Sequence, residues 1–246
     1  MKFTKLISVF ILLLAFGMVS YAQTVDEIIN KHVDAIGGMD KLNSIKTVKL
    51  SGTSGFGSMD FPFTMTYKLP SAVLMESTIQ GMTMKQGYDG ETAWMINPFM
   101  GSKDPQKMNE EQMKGLKEEA DFAGQLVNYK DKGNKIELEG KEDMEGSDTY
   151  KLKVTNKDGD VSYYYLDAST YLILKTSTKR KIKEKEINAD EYFGDYKSED
   201  GILLAHAMEV KADMGEMGHS QKITIEKFEF NIPVDDSIFK MPEATK

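Results

Sequence analysis

The sequence predicts a mainly β fold with a smaller α part. The expected form is a curved antiparallel sheet of about 11 strands, with an N-terminal helix and a second helix over about 105–128 covering its concave face. Three observations predict it. The stretch "MDFPFTMTYKLPSAVLMESTIQGMTMKQGYDG" alternates: Phe61, Phe63, Met65, Tyr67 and Leu69 share one parity, Val73, Met75 and Ile79 repeat the pattern, and Met82 and Met84 follow. Asp-Gly pairs at 89–90, 158–159 and 200–201 separate alternating runs, as hairpin turns do. Helical spacing occurs well formed in only two places.

In chain order, Lys2 and Lys5 precede an almost wholly apolar run from Leu6 to Val19, and Ser20-Tyr21-Ala22 supplies small residues at the positions a signal peptidase reads. The run has about 14 residues where a membrane-spanning helix needs about 20. Residues 1–22 therefore read as a signal peptide cut before Gln23, leaving 23–246 as one domain. Thr24 and Glu27 form a capping box for a helix over 24–37, with Val25, Ile28, Ile29, His32, Val33 and Ile36 on one stripe and Gly37-Gly38 as the stop. His32 lies on that stripe and reads as a packed core histidine. The period changes to two at Ile45. After "ETAWMIN", Asp104-Pro105 resembles a helix start, and Met113, Leu116, Ala120, Ala123 and Val127 form a thin stripe to about Asn128. From Lys135 on, the chain reads as strands and turns. In "QKITIEKFEFNIP" the apolar parity shifts from Ile223 and Ile225 to Phe228 and Phe230, predicting a bulge near Glu226-Lys227.

Eleven strands spaced about 4.8 Å apart make a sheet about 50 Å wide, which must curl or split. Two helices, each covering about 10 Å, roof less than half of its apolar face. The uncovered part is expected to meet a ligand. Methionine suits that task because it is unbranched, polarizable and adapts to variable apolar shapes. Of 17 methionines, Met59, Met65, Met75, Met82 and Met84 cluster in the opening strands. The candidate lining is Phe63, Met65, Tyr67, Met75, Ile79, Met82, Met84 and Trp94, with Met113 and Leu116 of the second helix closing over it.

Composition narrows the function. The chain carries a net charge of −8, and −10 once the two leader lysines are removed, which argues against nucleic acid and anionic membrane surfaces as partners. No cysteine is present, so disulfides, thiolate metal sites, cysteine catalysis and lipid attachment at an N-terminal cysteine are excluded. A soluble periplasmic protein is expected, with no membrane span after leader removal. One arginine, Arg180, stands against 30 lysines, which leaves little scope for bidentate phosphate recognition. The three histidines lack metal-ligand spacing, and no G-x-S-x-G elbow, phosphate-binding fingerprint or ordered calcium loop occurs. No catalysis, no metal and no cofactor is expected. Asp167 in "YYLDAST" reads as a turn aspartate that accepts backbone N–H groups.

The order of several segments resembles the LolA/LolB-like family of outer membrane lipoprotein-sorting proteins: the capped helix ending in Gly-Gly, "IKTVKLSGT", "YDGETAWMIN", "YYYLDASTYLILKTS", "FGDYKSEDGILLAHAMEV" and "ITIEKFEFNIPVDDSIFKMP". The resemblance covers the whole mature chain. It implies an unclosed β-barrel around lid helices, a non-catalytic periplasmic role, and lipoprotein acyl chains or other lipids as ligands. The same fold also serves envelope sensors or scaffolds that bind a partner protein. The well-studied carriers use an arginine on an early strand inside the barrel. The early strands here have none, which points toward general lipid or lipopeptide binding rather than lipoprotein hand-off itself.

Overall fold

The computed structural model describes residues 23–244 apart from 57–58, 102, 183–184 and 213–218. The leader expected over 1–22 lies outside the described residues. Among the described residues no helix is long and apolar enough to cross a membrane.

One antiparallel sheet of 13 strands organises the chain, in the order β6-β5-β4-β3-β2-β1-β13-β12-β11-β10-β9-β8-β7. Its strands are β1 (Thr47–Phe56), β2 (Met59–Lys68), β3 (Ala72–Ile79), β4 (Met82–Tyr88), β5 (Ala93–Ile96), β6 (Gln106–Lys107), β7 (Lys135–Met144), β8 (Ser147–Thr155), β9 (Val161–Asp167), β10 (Ile173–Ile182), β11 (Lys185–Glu199), β12 (Ile202–Ala212) and β13 (His219–Phe230). The two halves are hairpin ladders joined where β1 pairs with β13. The terminal strands β6 and β7 do not pair with each other, so the sheet is open. The predicted strand number was lower; β6, two residues long, pairs with Trp94 and Met95 where a helix start was expected.

The hairpins form where turn chemistry dictates. Asp200-Gly201 joins β11 to β12 as a two-residue loop with both φ values positive, at 48° and 79°. Asp167 Oδ1 accepts from the Ser169 and Thr170 backbone N–H groups at 3.0 and 2.7 Å, and these bonds hold its carboxyl below the usual carboxylate range against the opposing effect of burial. The bulge in β13 is real. Ser51 pairs with Lys227 and Gly52 with Ile225, leaving Glu226 as the extra residue.

Among the described residues, three α-helices lie against one face. The first, α1 (Val25–Ala35), has the predicted capping box complete, with Thr24 accepting from the Glu27 N–H and Glu27 accepting from the Thr24 N–H. Thr24→Ala is expected to lower stability by about 1 kcal/mol in urea unfolding, with Thr24→Ser close to wild type. On α1 the buried residues are Ile28, Ile29, His32 and Val33. His32 Nδ1 lies 2.8 Å from the Tyr171 carbonyl oxygen, and burial lowers its proton affinity. A short α2 (Met39–Ser44), not anticipated, buries Leu42.

The predicted helix over 105–128 is corrected to α3 (Glu110–Glu119). Asn109, not Asp104, is its cap, in a second capping box with Gln112. It stops at Ala120 because the chain then turns: Gly124 adopts φ +74°, and its N–H bonds the Asp121 carbonyl. Lys132 closes the following loop by donating to both Asp121 oxygens, at 2.7 and 2.6 Å, and to the Gly124 carbonyl at 2.7 Å. Leu116, Ala120 and Val127 are buried as the stripe required, but Val127 reaches the core from the loop.

Candidate functional site: the concave face

Register decides which side chains share a face. Tyr67 pairs with Val73 and Met65 with Met75, and Phe63 lies opposite Ser77. One strand on, Val73 pairs with Tyr88, Ser77 with Met84 and Ile79 with Met82. Phe63, Met65, Tyr67, Met75, Ile79, Met82 and Met84 therefore stand on one face of the sheet. The helices cover that face, because Phe63, Met65, Tyr67 and Met75 pack in the cluster that contains Ile28, Val33 and Leu116. Leu116 is buried there and Met113 is half-buried against it.

Trp94 is the exception, and its assignment to the lining is corrected. It pairs with Gly87, whose parity is opposite to that of Tyr88 and Gln86. Its ring lies on the convex face with Leu74 and Phe239 in a separate cluster, where Nε1 donates to the Phe239 carbonyl at 2.7 Å. Two-residue alternation places Trp94 out as soon as Ala93 and Met95 are in.

Coverage falls along the strands. Phe63, Met65 and Tyr67 are buried, whereas Met75, Ile79, Met82 and Met84 are half-buried. The opposite wall contributes residues that were not picked out from sequence. Ile223 pairs with Met208, Met208 with Phe193, and Val210 with Glu191, all half-buried. Following the parity of Leu50 to Phe228 and past the Glu226 bulge to Ile223 would have found them. The far part of the concave face is thus an apolar wall with partial cover. A groove of about 360 Å³ lies elsewhere; apart from Phe63, its lining residues Pro62, Thr64, Glu76, Thr78, Thr83 and Lys85 carry convex-face parity.

The helix-covered part holds polar groups. Tyr67 donates to Glu119 Oε1 of α3 at 3.3 Å. The Phe122 ring stands edge-on to Tyr67 at 5.3 Å and to Phe230 at 6.5 Å. Burial, reinforced by the nearby carboxylate of Glu119, raises Glu191 to about 7. Burial first, then Glu191, Asp121 and Glu118, raise the Tyr164 phenol. No group of three or more metal-ligating side chains occurs among the described residues.

A family model whose description reads "-like: Uncharacterized protein" matches residues 79–243, more than half of the chain. No curated protein matches it in sequence. Among solved structures, a LolA superfamily protein from Nitrosomonas europaea is similar over 86% of this chain and 96% of its own, with TM-score 0.61 and 13% identity. A DUF1329 family protein from Desulfovibrio piger covers 88% and 97%, with TM-score 0.58 and 16% identity. An outer membrane lipoprotein-sorting protein domain from Vibrio parahaemolyticus covers 87% and 94%, with TM-score 0.57 and 15% identity. The open sheet with its helices on one face is the architecture those three share with this chain. The chain belongs to the family of that uncharacterized-protein model, and its fold is that of the LolA superfamily.

Proposed function

We propose that this protein is an exported, non-catalytic binder and carrier of acyl chains, taking those of lipoproteins or other lipids into the concave face of the sheet. One observation carries the reading. Met75, Ile79, Met82 and Met84 share one face of the sheet with Ile223, Met208 and Phe193, and all seven are left half-buried beside the helices. An acyl chain laid there gains about 0.8 kcal/mol per methylene removed from water, before ordering costs. The likeness to a lipoprotein-sorting domain supports an envelope role, and the expected leader supports the periplasm as the site of action.

The test is binding of a fluorescent acyl probe. Met84→Glu places a carboxylate in the apolar wall and is expected to weaken binding at least ten-fold with the circular dichroism spectrum unchanged. Equal affinity in both proteins removes Met84 from the lining. Failure of the wild type to bind any acyl probe, together with native mass spectra free of lipid, favours a filled core and a sensor or scaffold that binds a partner protein.

A further inference from the structure

Asp190 and Glu191 are consecutive on β11 and stand on opposite faces of the sheet. On the convex face Asp190 has its partners: Lys175 Nζ lies 2.7 Å from Oδ2, and Ser177 Oγ donates to Oδ1 at 2.6 Å. Glu191 has none. Its row on the concave face runs Leu152, Tyr164, Thr176, Glu191 and Val210 across β8 to β12, and Glu191 is the one acid in it. Tyr164 packs on the main core cluster, as does Met208, two residues before Val210, and this fixes the side of the sheet. Ala189 and Phe193 flank Glu191 on its own strand with the same parity. Among the described residues no hydrogen bond or ion pair reaches the Glu191 carboxylate, although the residue is half-buried.

A carboxylate drawn out of water with no donor to meet it is costly, and a bound group that brings positive charge and N–H donors relieves that cost. We propose that Glu191 selects the head group of the bound lipid: it favours a chain that ends in an ammonium and disfavours one that ends in a carboxylate. The inference rests on the acyl-binding reading for the chain and adds the chemistry of its head. β13 lies two strands from β11, about 10 Å across the sheet. A chain whose ammonium meets Glu191 therefore passes over Phe193 and Met208 toward Ile223, which share that face. Thr176, directly opposite Glu191 on β10, brings a hydroxyl to the same place for a second N–H of the head. Burial, with Glu119 adding to it, lifts Glu191 to about 7, so at pH 8 the carboxyl is largely ionised before any cation arrives.

The experiment compares decylamine, decanol and decanoate as competitors of an uncharged fluorescent acyl probe at pH 8, in about 0.15 M salt to screen the net charge of the chain. Decylammonium is expected to bind about ten-fold or more tighter than decanol, and decanoate about ten-fold or more weaker. Glu191→Gln should bring the ammonium and the alcohol to the same affinity without weakening the alcohol. Glu209→Gln removes the same charge from the convex face of the neighbouring strand β12 and should leave the preference intact. The order of the three heads in the wild type tests the proposal without any variant. Equal affinity, the reverse order, or a preference that survives Glu191→Gln overturns the head-group assignment and leaves the acyl-binding reading in place. A wild type that binds neither the probe nor any of the three overturns both.

Discussion

Trp94→Ala is expected to destabilise the protein by about 3–5 kcal/mol, the range for truncating a buried tryptophan. The ring is 1% exposed and lies flat against Gly87, where a Cβ would come within 2.4 Å of it. It packs on Leu74 and on Phe239, the last residue of a 3₁₀ turn over Asp236–Phe239. Removing it also leaves the Phe239 carbonyl without its donor, adding about 1 kcal/mol. The C-terminal segment is thus strapped to the outside of β3 and β4, with Lys68 and Asp236 as an ion pair beside it. Urea unfolding followed by circular dichroism measures the loss, since the chain has no second tryptophan to report by fluorescence. Acyl-probe affinity at low urea should remain that of the wild type, because the proposed binding face is the opposite one. A loss below about 1 kcal/mol would show that the strap is not packed as described. A loss of probe binding in a folded Trp94→Ala protein would return Trp94 to the lining.

That contrast marks how far the sequence could be read. Parity put seven of the predicted residues, from Phe63 to Met84, on one face of the sheet, because each strand of Met59–Gly90 keeps its own alternation. Trp94 was misassigned because β5 is four residues long; so short a run does not fix its own phase, and only pairing with Gly87 does. The α1 cap was legible because Thr24 and Glu27 are adjacent in sequence to the stripe they serve. The α3 boundaries were not, since Asp104-Pro105 offers a start signal that β6 overrides, and Asn109 with Gln112 gives the signal that is used. Glu191 carried no local mark at all. Burial that folding imposes raises its proton affinity, and Glu119, 72 positions earlier, adds to it.

Gly52→Ala is the second substitution with a large expected effect, about 3 kcal/mol or more. The predicted bulge explains it. With Glu226 squeezed out of the β1–β13 ladder, Ile225 is brought opposite Gly52, and a Cβ there would stand 2.0 Å from the Thr224 carbonyl oxygen and 3.0 Å from Ile225 Cα. Both obstacles are backbone, so no rotamer relieves the clash; the two strands must part at the seam joining the halves of the sheet. Gly55, three residues on in the same strand, is the control. A Cβ at Gly55 would meet Asp60 Oδ1 at 2.7 Å, but that atom ends a side chain that can swing into solvent. Gly55→Ala is therefore expected to change stability by no more than about 0.5 kcal/mol. Equal effects in thermal or urea unfolding would mean that the seam yields as easily as a side chain does. Deleting Glu226 is the complementary variant: it removes the extra residue and leaves Phe228, Ile225 and Ile223 in regular alternation on one face. The bulge thus keeps Phe228 and Ile223 on the same face of the sheet across a break in parity, and Gly52 is the position that makes room for it.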